Sequence, residues 1–232
     1  MNMRLLATMI GACALTLALA STAGAVYPSS FEPVSANPVQ ALNALPIERF
    51  ESDNATRCQK GTRPGTKALA KWLDKNAKGD NWGTYRCEKW SKGTASLHAE
   101  GRALDWALNV RKPKEKKEAI RLISMLLAPD GANRPAALAR RMGVQEIIWD
   151  CKYWGGRASL TGSPAMTKYT ACKKGVDKTT AHRDHVHFGL NLRGAAKQTS
   201  WWTRVAPPPE AQDGAPVGTY TPPGSGGLGP GN

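Results

Sequence analysis

Histidine is scarce in this chain, and where it occurs the reactive side chains gather. The 232 residues include four histidines. Three of them lie in one short run, His182-Arg183-Asp184-His185-Val186-His187, and the fourth is in Ser96-Leu97-His98-Ala99-Glu100-Gly101-Arg102-Ala103-Leu104-Asp105. Imidazole nitrogen and carboxylate oxygen are the donors that suit zinc in a tetrahedral site. A catalytic zinc takes three protein ligands and keeps one position open for water, which it makes acidic enough to attack a carbonyl. A neighbouring base must then accept the proton and pass it to the leaving amine. Unrelated surface or core histidines are the bland alternative. The clustering argues against it.

Such ligands need rigid elements behind them. Leu104 to Val110, Val144 to Trp149 and His185 to Leu192 are short, apolar and flanked by turn residues, which predicts strands. Apolar residues at helical spacing predict helices over 65–77 and 114–127, the second opened by Pro113. A shorter helix over 134–142 is closed by Gly143. Interspersed helices and strands without a βαβ period predict an α+β fold, a small antiparallel sheet backed by helices. Strand alternation puts His185 and His187 on one face and Asp184 on the other. Asp184 reaches a metal held by His187 only if the strand begins there or bulges, so His185 as the ligand in place of His187 stays open. Gly101 suits a tight backbone approach beside the ligands. Trp149, Trp154, Trp201 and Trp202 are candidates to line a sugar or peptide groove, although Trp149, in an apolar strand, reads better as core.

The pattern Ser96-x-His98-x-x-Gly101-x-Ala103-x-Asp105 resembles the S-x-H-x-x-G-x-A-x-D motif of zinc D-Ala-D-Ala dipeptidases and carboxypeptidases. Residues 96–105 also resemble the zinc-site segment of Hedgehog signalling domains, which share that fold. Asp184-x-x-His187, inside a His-x-His, is similar to the family's second motif, where Glu or Asp lies three residues before the last ligand; phage L-alanyl-D-glutamate endolysins have Asp there. Residues 143–150 resemble secreted bacterial and fungal members of the superfamily. The resemblance implies His98, Asp105 and His187 as zinc ligands, Asp184 as general base and Ser96 at the substrate, with Arg102 and His185 as further candidates there; orienting His185 or His187 by a hydrogen bond is the alternative role for Asp184. His182 fits a supporting or substrate-facing place. The implied activity is hydrolysis of peptidoglycan stem peptides.

The remainder of the chain frames that expectation. Arg4, the uncharged apolar run Leu5 to Ala20 and Ala23-Gly24-Ala25 read as a secretory leader, residues 1–25, with a retained N-terminal anchor as the alternative. A proline-rich arm over 26–56, a zinc peptidase domain over 57–204 and a Pro/Gly-rich tail over 205–232 follow, the tail too polar to order itself. Cleavage removes Cys13 and leaves Cys58, Cys87, Cys151 and Cys172. An even count in an exported chain favours two disulfides over a cysteine metal site. Of three possible pairings, Cys58–Cys87 and Cys151–Cys172 each enclose one local segment and are preferred. A net charge of +14 favours contact with polyanions, with cell-wall polymers, acidic lipid surfaces and nucleic acid as candidates and a merely well-solvated surface as the bland reading. The basic residues are scattered and do not alternate with aromatics, so no specific nucleic-acid site is read. The expectation is a secreted, periplasmic or cell-wall-associated monomer without a transmembrane anchor. A non-catalytic zinc-bearing module and an exported polyanion binder are the rival functions.

Overall fold

A computed structural model describes residues 42–156 and 165–214, all within the unit Ser35–Asn232. The expected leader lies outside the described residues, as does most of the tail.

The two longer predicted helices carry the cores their spacing predicts. α1 (Pro64–Asn76) starts with proline at its first turn and buries Leu69, Ala70 and Leu73. α2 (Pro113–Leu127) buries Ala119, Leu122, Ile123, Leu126 and Leu127 along one stripe. α3 (Ala137–Met142) is three residues shorter than expected at its start. Ala136 takes a left-handed conformation there, and the carboxylate of Asp130 instead accepts the backbone N–H groups of Ala132 and Arg134 in a turn. Gly143 closes α3 with φ 76°; a Cβ on it would stand 2.3 Å from Gly194 Cα, so only glycine fits.

The strands are β1 (Asp80–Gly83), β2 (Lys89–Ser91), β3 (Thr94–Ala95), β4 (Ala103–Ala107), β5 (Val144–Trp149), β6 (Lys152–Gly155), β7 (Thr167–Lys168) and β8 (His185–Leu190). Six form an antiparallel sheet in the order β1-β4-β8-β5-β6-β7, and β2 pairs with β3 apart from it. The fold is α+β with an antiparallel sheet, as expected. β8 ends before the predicted Leu192 because Asn191 leaves the sheet to cap α4 (Leu192–Ala195), accepting the Gly194 N–H at 2.7 Å.

Period-2 alternation divides the sheet. Leu104, Trp106, Ile147, Trp149, Val186, Phe188 and Leu190 join the helices' apolar stripes in one core. The residues between them, Asp105, Ile148, His185 and His187, face the other way. Register fixes their neighbourhood: Asp105 lies opposite His187 on β8, and His187 lies opposite Ile148 on β5. Trp149, Trp154 and Trp201 are buried, and Trp149 also borders a pocket with Ile120, Ile123, Leu127 and Met166.

The packed chain reaches beyond 57–204. Leu42 and Ile47 are buried, and Phe50 stacks edge-on to Trp154 beneath the Arg140 guanidinium. Arg102, Arg134, Arg140 and Arg141 donate to backbone carbonyls of residues 43–53. Residues 47–49 in turn pair with 211–213: Arg49 N–H donates to Ala211 and Asp213 N–H to Ile47, each at 2.9 Å. Two disulfides, Cys58–Cys87 and Cys151–Cys172, close segments of 29 and 21 residues, with the expected pairing. Among the described residues no helix is long and apolar enough to cross a membrane.

Candidate metal centre

His98 is presented by a 3-10 turn, Leu97–Glu100. Ser96 caps that turn, its hydroxyl accepting the His98 N–H at 3.3 Å. Gly101 ends the turn at φ 65°, where a Cβ would stand 2.0 Å from Gly61 O. This is the close backbone approach that the sequence suggested. The chain then enters β4 and delivers Asp105 directly across from His187.

The three implied ligands converge. His98 Nε2 lies 3.1 Å from Asp105 Oδ1 and 3.2 Å from His187 Nδ1, and His187 Nδ1 lies 3.0 Å from Asp105 Oδ1. Donors about 2.0–2.1 Å from a tetrahedral zinc stand about 3.3–3.4 Å apart, so the triangle is zinc-sized and slightly tight. All three residues are buried. A buried group of two imidazoles and a carboxylate aimed at one point fits a metal ion, and the nitrogen–oxygen donor set suits zinc.

One supporting residue escaped the sequence analysis. Glu146 on β5 accepts from His187 Nε2 at 3.1 Å, which leaves the Nδ1 lone pair of a neutral ring turned toward the triangle. Carboxylate–histidine pairs of this kind orient metal ligands. The signal was present in the sequence only as an acidic residue on an otherwise apolar strand. His98 has no such support, because its Nδ1 is buried without a protein partner.

Electrostatics follow the geometry. Burial alone would raise the Asp105 carboxyl, but hydrogen bonds and charge from His187 and His98 hold it far below the ordinary carboxylate range. Burial would lower His187; its bonds to Asp105 and Glu146 outweigh that and push it up to about 9. For His98 burial prevails over its bond to Asp105, and the ring is held neutral. His182, partly buried and next to His187 and His185, is pushed down to about 3 by desolvation and by those rings.

The other expected site residues divide. Asp184 lies just before β8, as the alternation argument required, but its carboxylate turns onto His185. Oδ1 accepts from His185 Nδ1 at 2.8 Å and Oδ2 from the Thr179 hydroxyl at 2.9 Å. These bonds overcome the effect of burial and keep it ionised. The group turned toward the triangle is His185, whose Nε2 lies 3.5 Å from Asp105 Oδ1. His182 stacks on His185 with ring centroids 4.7 Å apart. Ser96 and Arg102, expected at the substrate, are used within the fold instead. The Ser96 hydroxyl is spent on the cap. Arg102 is 1% exposed and donates to Glu100, Leu190 and Asp53, so its guanidinium is committed to framing the turn. A second arginine does face the centre: Arg86 Nη1 donates to Asp105 Oδ2 at 2.7 Å, with half of its side chain exposed.

The family model of the VldE C-terminal domain matches residues 58–182, more than half of the chain. The chain belongs to that family. The matched span of the VldE C-terminal domain holds His98, Asp105 and Glu146 together with both disulfides, and it stops short of Asp184, His185 and His187. No curated protein and no solved structure matches the chain.

Proposed function

We propose that this domain is an exported zinc hydrolase of the D-Ala-D-Ala peptidase type, with a Hedgehog/D,D-peptidase-like fold, that cleaves amide bonds in peptidoglycan stem peptides. The observation that carries the reading is the closed triangle of His98 Nε2, Asp105 Oδ1 and His187 Nδ1, with a further imidazole, His185, aimed at the same carboxylate. The motif resemblance supports the substrate class. The two disulfides, usual in oxidising compartments, support export.

His98, Asp105 and His187 would hold the zinc, and Glu146 would fix the His187 ring. When bound, zinc supplies Lewis-acid polarisation of the scissile carbonyl and acidifies water. The remaining work belongs to the chain. Asp184 accepts a hydrogen bond from the Nδ1–H of His185, which leaves the Nε2 lone pair turned toward Asp105 and the proposed metal position, and Thr179 holds Asp184 in place. His185 takes the proton from the attacking water as the C–O bond forms. It returns that proton to the amine nitrogen as the C–N bond breaks. In this reading His185 is the base and Asp184 its positioning residue, the orienting role that stood as the alternative to Asp184 as base. Arg86, cationic and half exposed, faces the position of a substrate carboxylate or the developing oxyanion.

The test is cleavage of synthetic stem peptides by the zinc-loaded protein, with His185→Ala and Asp184→Asn as variants. Hydrolysis lost in His185→Ala and reduced in Asp184→Asn, each with its zinc retained, is the expected result. If the zinc-loaded wild type leaves every stem peptide intact, the catalytic reading fails, and the centre belongs to a binding module.

A further inference from the structure

The proposed chemistry leaves one group of side chains unused. Trp82, Tyr85 and Trp90 are 55%, 37% and 70% exposed, three of the five large hydrophobic residues so exposed among the described residues. All three lie in one segment, and that segment forms a rim of the candidate metal centre. The Trp82 ring lies 5.9 Å from that of His185. Arg86 reaches Asp105. The Glu88 carbonyl accepts the Ser96 N–H at 3.0 Å, and Cys87 is tied to Cys58. The rings are therefore carried on β1 and β2 and on the anchored connection between them.

Large exposed apolar side chains gathered in one short segment beside such a centre point to a binding surface. The make-up of residues 80–92 says what kind. The stretch holds no Leu, Ile, Val, Met or Phe, and it sets Asn81, Thr84 and Ser91 among the rings. Rigid Trp and Tyr among small hydroxyl and amide residues suit a ligand that is apolar on one face and polar at its rim, and ordering them costs little side-chain entropy. A sugar ring has that character: its C–H face stacks on an indole while its hydroxyls meet the polar residues. A lipid surface fits poorly. Arg86, Lys89 and Lys92 are nearly balanced by Asp80 and Glu88, whereas membrane-binding patches gather about four to eight Lys or Arg.

We propose that Trp82, Tyr85 and Trp90 form a glycan platform, so that the centre acts on peptides still attached to a polysaccharide strand. The choice of amino sugars as the probe rests on the peptidoglycan reading of the same site. The platform itself is argued from the rings.

The experiment is calorimetric titration of a soluble β-linked N-acetylglucosamine tetramer into the zinc-loaded wild type, Trp82→Ala and Trp90→Ala. Sedimentation with phosphatidylglycerol vesicles runs in parallel, and thermal melts confirm that each variant folds. Saturable binding by the wild type, weakened about five- to tenfold by either substitution, is expected. No binding of the tetramer, or affinities unchanged in both variants, overturns the proposal. So does vesicle binding that needs both tryptophans while the sugar is ignored. The two readings of the site fail separately: a protein that binds the tetramer but cleaves no peptide loses the hydrolase and keeps the platform, and one that cleaves peptides but ignores the tetramer does the reverse.

Discussion

Replacing Glu146 by alanine should weaken zinc binding without unfolding the protein. The glutamate touches no proposed metal position. It acts through one hydrogen bond, His187 Nε2 to Glu146 Oε1 at 3.1 Å, between side chains 6% and 21% exposed. Hydrogen bonds to charged groups contribute about 1.5–3 kcal/mol, and the partial exposure of Glu146 places this one toward the lower end. A loss of about 1.5–2 kcal/mol corresponds to roughly a 10- to 30-fold weaker Kd, within the range of about 10–100-fold found for partners of metal-ligating histidines. Glu146→Gln keeps an acceptor and loses the charge, so it should fall between wild type and alanine. Competition for zinc against a chromophoric chelator at neutral pH measures the affinities, and melting of the metal-free proteins shows that the fold persists. A Glu146→Ala protein that binds zinc within twofold of wild type would refute the idea that this bond sets the ring of His187.

Other expectations follow from the same geometry. Purified protein should carry about one zinc per chain by elemental analysis, lost in Asp105→Ala; zinc retained by that variant would remove Asp105 from the ligand set. Opening the 29-residue Cys58–Cys87 segment or the 21-residue Cys151–Cys172 segment should cost about 3–4 kcal/mol each by loop-closure entropy. A melting temperature unchanged in reductant would contradict this. Glu51 is pushed up to about 7 by burial and then by the charge of Asp53. Because the folded-state value lies above the ordinary 4.5, the protonated form favours folding. That contribution is complete below about pH 4.5 and is lost as pH rises through about 7, up to about 3 kcal/mol. Glu51→Gln should flatten the decline, and identical stability–pH curves for variant and wild type would show that Glu51 is not the source.

The sequence revealed what depends on spacing and hid what depends on partners far along the chain. Apolar residues at helical intervals located α1 and α2, and the alternation of β4, β5 and β8 separated the core face from the face that bears Asp105 and His187. The motif spacing selected the three side chains that meet. β1, β2, β3, β6 and β7 were invisible because they are two to four residues long, too short for a periodicity to develop, and β1, β2 and β7 are also largely exposed. Arg102 and Ser96 looked like substrate contacts because their bonds to Leu190, Asp53 and the His98 N–H appear only after folding. The bond between Asp184 and His185 joins adjacent residues, yet alternation predicts opposite faces for them, and only the turn before β8 allows it. What holds the arm was hidden for a related reason. Its composition fits a linker or a loosely docked arm, and its partners are a row of arginines some 50 to 95 positions away.

The pairing of residues 47–49 with 211–213 also governs how the domain would respond to mechanical load. Tension applied at residues 42 and 214 enters at the same end of that antiparallel pair, so once buried Leu42 and the arginine bonds to residues 43–46 had let go, its hydrogen bonds would break in succession. The sheet that carries His187 and Asp105 would feel little strain until the pair had opened. The domain would in this way give up its two ends before its candidate metal centre was disturbed.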